Sequence, residues 1–130
     1  MGLDPHDLPE AVLTFLRERH LATLTTHRAD GSPHVVPVGF AFDPDATIVR
    51  IISSGTSQKA VNAARPGARA AVCQVDGGRW LTLEGAVRVE RDPDAVAQAE
   101  AAYGERYQRP RERTDRVAIV IAVDRVMGRG

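Results

Sequence analysis

Several things are scarce in this chain, and each scarcity excludes a class of protein. Among 130 residues there is one cysteine, Cys73, which excludes an internal disulfide framework and a cysteine-built zinc cage. No apolar run approaches the roughly 18 residues a membrane span requires. The charged, proline-containing start does not read as a signal peptide. Net charge is also missing: 17 Lys and Arg balance 17 Asp and Glu, so no whole-protein field favours nucleic acid. With 43% hydrophobic and 26% charged residues, disorder is excluded too. These traits predict a single domain over residues 1–130, working in the cytoplasm. Lysine is nearly absent as well. Sixteen of the basic residues are arginine, a bias expected of GC-rich coding, and Lys59 is the exception.

Turn signals and hydrophobic periodicity divide what is present into short elements. Asp7 and Glu10 have capping-box spacing ahead of an apolar stripe of Leu8, Val12, Phe15 and Leu16, which predicts a helix. Strands are predicted over Leu21 to Thr26, His34 to Phe42, Ile48 to Ser53, Ala68 to Val75, Trp80 to Arg91 and Val117 to Val126. Pro37 cannot donate to a ladder, which puts the second of these at an edge or bulge. Ser57 and Asp92 are placed to cap two further helices. Six strands joined mostly by hairpins, with three peripheral helices, predict a mainly β fold, a small antiparallel barrel.

The junction SSGTSQKA is the strongest chemical signal. A helix start offers backbone N–H groups without internal partners, and a lysine in that first turn opposes the dipole unless an anion lies nearby. Hydroxyls, backbone donors and Lys59 together suit a phosphate, while a surface lysine on an ordinary cap is the plain alternative. Pro37 and Gly39 would let a ring system approach the strand, or simply mark a bulged edge. Arg106 to Arg116 holds five arginines, read either as a solvated loop or as a mouth attracting anions through Arg109 and Arg111. His6, His20, His27 and His34 show neither metal-ligand spacing nor carboxylate company, so no metal site is expected. Cys73, inside an apolar strand, reads as core. No nucleophile or paired-carboxylate constellation stands out, so any catalysis would borrow a cofactor's reactivity, with no catalytic side chain assigned.

Taken together, HLATLTTHRADGSPHVVPVGFAFD, TSQKAVNAARPG and QVDGGRWLTLEGAVRVERDPDAV resemble the split-barrel flavin and deazaflavin oxidoreductases, the superfamily of pyridoxamine-phosphate oxidase. The resemblance spans Leu8 to Val126, and RWLTLEG resembles the F420-dependent biliverdin reductases within it. It implies a six-stranded antiparallel split β-barrel that forms a homodimer, with coenzyme F420 in a groove at the subunit interface. The implied phosphate site is Gly55, Thr56, Ser57, Gln58, Lys59 and Ala60, and the implied ring edge is Val36, Pro37, Val38 and Gly39. Gln74, Val75, Trp80 and Leu81 are implied to line the same groove, and Arg50 to meet the anionic part of the cofactor. The implied reaction is hydride transfer from reduced F420 to a conjugated substrate, biliverdin to bilirubin, with the proton drawn from solvent. FMN in place of F420, another enone or quinone substrate, and a non-catalytic F420 or haem carrier are the alternatives.

Overall fold

Along Ile48–Ser54 every second residue is buried, and the same alternation runs through Ala22–His27 and Leu81 to Val87. Such alternation makes strands with one apolar face. The computed structural model describes residues 2–129. Its elements are β1 (Gly2–Leu3), α1 (Glu10–Arg17), β2 (Ala22–His27), β3 (Pro33–Val38), β4 (Ala41–Asp43), β5 (Ile48–Ser54), α2 (Gln58–Ala63), β6 (Arg69–Asp76), β7 (Arg79–Glu90), α3 (Pro93–Arg106) and β8 (Arg116–Arg129). The strands form one sheet in the order β3-β2-β6-β7-β8-β5-β4, every neighbouring pair antiparallel, with β1 added to β8.

The concave core gathers Leu24, Val49, Ile51, Val72, Leu81, Leu83, Ile119 and Ile121. The helix α1 closes it with Val12, Phe15 and Leu16, and α2 with Ala60 and Ala63. Burying each such Leu, Ile or Phe side chain is worth roughly 1.5–3 kcal/mol. On the opposite face, Ala99 of α3 packs on Ala118 and Val120, flanked by Ile48 and Ile52. Being covered on both faces, β8 is buried continuously from Val117 to Ile121. That explains an apolar run without alternation.

The structure corrects four expectations. First, the described residues form eight strands where six were expected. β1 is an addition, and the expected strand from His34 to Phe42 divides at Gly39 and Phe40. Second, the hydrogen-bonded path is open: β3 and β4, adjacent in sequence, sit at its two ends. The polar groups at the break go to side chains instead of a closing ladder. The Phe40 N–H donates to the Tyr107 hydroxyl at 3.2 Å, and the Phe40 carbonyl accepts from Arg106 Nη1 at 2.7 Å. Third, the helix cap falls on Pro9 with no side-chain hydrogen bond, so Asp7 and Glu10 form no capping box. Fourth, Cys73 is half-exposed on the sheet's outer face, because its register partners Thr23 and Thr82 point away from the core. Pro37, in contrast, stands where expected, on the terminal strand β3.

Candidate functional site

The short helix α2 starts where the sequence places it. The Ser57 hydroxyl oxygen accepts from the Ala60 N–H at 3.3 Å, and the hydroxyl donates to the Ser54 carbonyl at 3.0 Å. Buried Asn62 donates to Thr26 Oγ1 at 3.0 Å and accepts from Gln58 Nε2 at 2.7 Å, which fastens the helix to β2. Gln58 therefore turns its amide along the helix. The Gly55 N–H donates to the Asp115 carbonyl at 2.8 Å and is not free for an anion. Thr56 is exposed with its hydroxyl 3.1 Å from Ser54 Oγ, while Ala60 is wholly buried. Half-buried Lys59 has no carboxylate partner among the described residues. Burial pushes its pKa below the ordinary lysine range.

Lys59 opens onto a cleft of about 390 Å³ whose other walls are Pro37, Val38 and Gly39 of the sheet edge, Ile52, Tyr103 and the arginine-rich connection. The second and third signals of the sequence thus converge on the first. Arg109, Arg111, Arg113 and Arg116 all line this cleft. Arg113 is turned toward Asp115 at 3.2 Å, and Arg116 toward Glu100 at 2.7 Å. Arg109 and Arg111, both exposed, have no carboxylate partner among the described residues. The absence of a side chain on Gly39 is what admits the tyrosines. A Cβ there would lie 2.9 Å from Tyr103 Cε2 and 3.1 Å from Tyr107 Cε2.

Other expected site residues lie elsewhere. Arg50 pairs with Asp43 at 2.9 Å in a separate cleft of about 410 Å³ that shares no wall residue with the first. That hydrogen bond is the main reason the Asp43 carboxyl is held below its usual range. Gln74 and Leu81 are core residues, fully buried. Gln74 donates to the Phe15 carbonyl at 3.0 Å and accepts from Arg106, so both ends of its amide are used internally. Val75 and Trp80 pair across the β6–β7 hairpin on the outer face, Val75 exposed and Trp80 half-buried. Val36 packs against the core beside the edge.

The histidine reading also needs correction. His20 Nε2 lies 3.1 Å from Glu18 and 3.9 Å from Asp76, so it does have carboxylate company. Arg79 pairs with both carboxylates, at 3.1 and 2.6 Å, and offsets one of their two negative charges. Tyr103, Arg106, Tyr107 and Arg116 went unnoticed as individual residues. The only signal for the first three was their clustering at the end of a predicted helix.

The arrangement describes a small antiparallel β protein with a basic cleft along a sheet edge. Residues 8–129 match the pyridoxamine 5'-phosphate oxidase family, and the chain belongs to that family. A Mycobacterium tuberculosis protein named as a biliverdin reductase dependent on reduced F420 is 56% identical over 121 residues, which cover 93% of this chain and 88% of that protein. Among solved structures, an F420 reductase superposes with a TM-score of 0.74 at 26% identity, covering 92% of this chain and 98% of the other. A conserved hypothetical protein from Mycobacterium tuberculosis gives 0.77 at 25% identity, covering 94% and 84%.

Proposed function

We propose that this chain is an F420-dependent oxidoreductase that reduces a conjugated substrate, biliverdin to bilirubin, and works as a homodimer. The observation that carries the cofactor reading is the single cleft joining the exposed sheet edge to Lys59 and the unpaired Arg109 and Arg111. F420 fits that donor set: a flat ring system suits the Pro37–Gly39 edge, and a phosphate with a carboxylate tail suits several cations. FMN, with one phosphate and no such tail, would leave the exposed arginines without a ligand partner. Lys59 and the N–H groups of Gln58 and Lys59, which have no backbone partner among the described residues, would hold the phosphate, and Arg109 and Arg111 would draw in the tail. Bound and reduced, the cofactor supplies a hydride donor. The chain's own residues orient the ring against the strand edge and screen the negative charge.

The homodimer reading rests on the outer face of the sheet. Pro37, Thr23, Cys73, Thr82 and Met127 form one uncharged row across five strands, from the register of successive pairs. Exposed Val35 and Val75 lie on the rows to either side. Pro37 belongs both to this row and to the cleft wall, so a second copy seated here would border the cleft. Light scattering is expected to give a mass near twice the 14.1 kDa of one chain. A monomer at micromolar concentration would remove the dimer from the proposal.

The cofactor reading is tested by titrating F420 and FMN, then mixing reduced F420 with biliverdin without oxygen and following both chromophores. Replacing Lys59 by alanine is expected to raise the F420 dissociation constant 10- to 100-fold, the ~1.5–3 kcal/mol of a charge-assisted contact. The fold should persist, since a cation at a helix start is unfavourable for the dipole. Turnover at saturating cofactor should fall far less. Unchanged affinity in Lys59→Ala, or tighter binding of FMN by the parent protein, would count against the reading.

A further inference from the structure

Arg116 opens β8 and stands opposite Ser54 of β5. It lines the basic cleft, yet its side chain is only 8% exposed. A guanidinium carries five N–H donors in a rigid planar fork. Both protons of Nη1 are engaged, one with Glu100 Oε2 of α3 at 2.7 Å and one with the Arg111 carbonyl at 2.6 Å. The Nε–H and both Nη2–H groups have no acceptor among the described residues. Nε and Nη2 present the parallel pair of donors with which arginine grips a carboxylate or phosphate through two bonds. The side chain as a whole is packed away, but these three donors face the cleft's solvent, since His34 Nδ1 is the one buried side-chain N or O atom without a partner among the described residues. Donors so placed in a cleft wall are open to an incoming acceptor. The neighbouring cations differ. Arg109 and Arg111 are exposed on the connection, and Arg113 aims its own Nε and Nη2 at Asp115.

We propose that Arg116 is an oxyanion-binding residue of this cleft, holding two oxygens of a carboxylate or phosphate through Nε and Nη2, and that Glu100 is the positioning residue that orients the fork. The inference rests on the cofactor reading and deepens it: Lys59 meets one anionic group as a point charge, and Arg116 a second through planar geometry. Glu100 and the Arg111 carbonyl hold Nη1 from behind, so the free pair is fixed before the ligand arrives.

The test compares the parent with Arg116→Lys, which keeps a cation for Glu100 but loses the fork, and with Glu100→Gln, which keeps the fork but loosens it. Each is titrated with F420, with its deazaflavin carrying the phosphate but no glutamyl tail, with the deazaflavin carrying neither, and with inorganic pyrophosphate. Arg116→Lys is expected to weaken F420 about tenfold and Glu100→Gln a few-fold, with affinity for the bare deazaflavin unchanged in both. A loss seen only with the full tail assigns the grip to a carboxylate. A loss that persists without the tail assigns it to the phosphate. If the parent binds pyrophosphate in an Arg116-dependent way but not F420, the inference stands while the cofactor reading falls. Equal loss for the bare deazaflavin, or no ligand whose affinity depends on Arg116, overturns it.

Discussion

Replacing Arg106 by leucine is expected to lower stability by about 3 kcal/mol, read as a shift in the urea midpoint at unchanged slope. The guanidinium donates to the Glu18 carbonyl at 2.8 Å, to the Phe40 carbonyl at 2.7 Å and to Gln74 Oε1. It also lies over the Phe40 ring, 4.7 Å from its centroid, and over the Tyr107 ring at 5.2 Å. No carboxylate pairs with it among the described residues, and desolvation pulls its pKa below the usual arginine range. Leucine would leave the Glu18 carbonyl and Gln74 Oε1 without donors, each costing about 1–3 kcal/mol, and would leave the Phe40 carbonyl only the Tyr107 hydroxyl at 3.2 Å. Relief from desolvating a cation offsets part of that. The consequence reaches the cleft, because Phe40 follows the Val38–Gly39 edge and its carbonyl is held by this arginine. F420 affinity is therefore expected to fall together with stability. A variant losing less than about 1 kcal/mol would show that water replaces the guanidinium at these acceptors.

Gly85→Ala is expected to be at least as damaging, at about 3 kcal/mol or more. Gly85 sits at the register shift where β8 places one extra residue against β7, with Glu84 opposite Arg125 and Gly85 opposite Val123. A Cβ at Gly85 would lie 1.8 Å from the Ala122 carbonyl oxygen and 2.8 Å from its carbon. Both are backbone atoms in the longest strand pair of the sheet, so no side-chain rotation relieves the clash. Either β7 and β8 separate locally or the bulge moves by one residue, which would turn side chains to the wrong face. Thermal unfolding and the yield of folded protein would report the loss. A melting temperature within a degree or two of the parent would mean that the strand pair yields far more readily than close packing implies.

The chain's local chemistry determined its elements by short-range rules. Period-two burial in β5 and β7, the caps at Ser57 and Asp92 and the edge position of Pro37 all depend on residues within a few positions of one another. Lys59 stood out in the same way, as a lone lysine in the first turn of a helix. Face parity was harder, because one residue of register decides between core and surface. Gln74 is buried and Val75 exposed, though a groove wall was expected to use both. Closure was invisible locally, since the break at Phe40 is satisfied by Arg106 and Tyr107, more than sixty positions away in sequence. Only the tertiary structure brought the arginine connection onto Lys59 and the Pro37–Gly39 edge, leaving Arg116 buried with half its fork unused. Such convergence depends on how sheet and helices bury their apolar faces together, a long-range balance that no local spacing records.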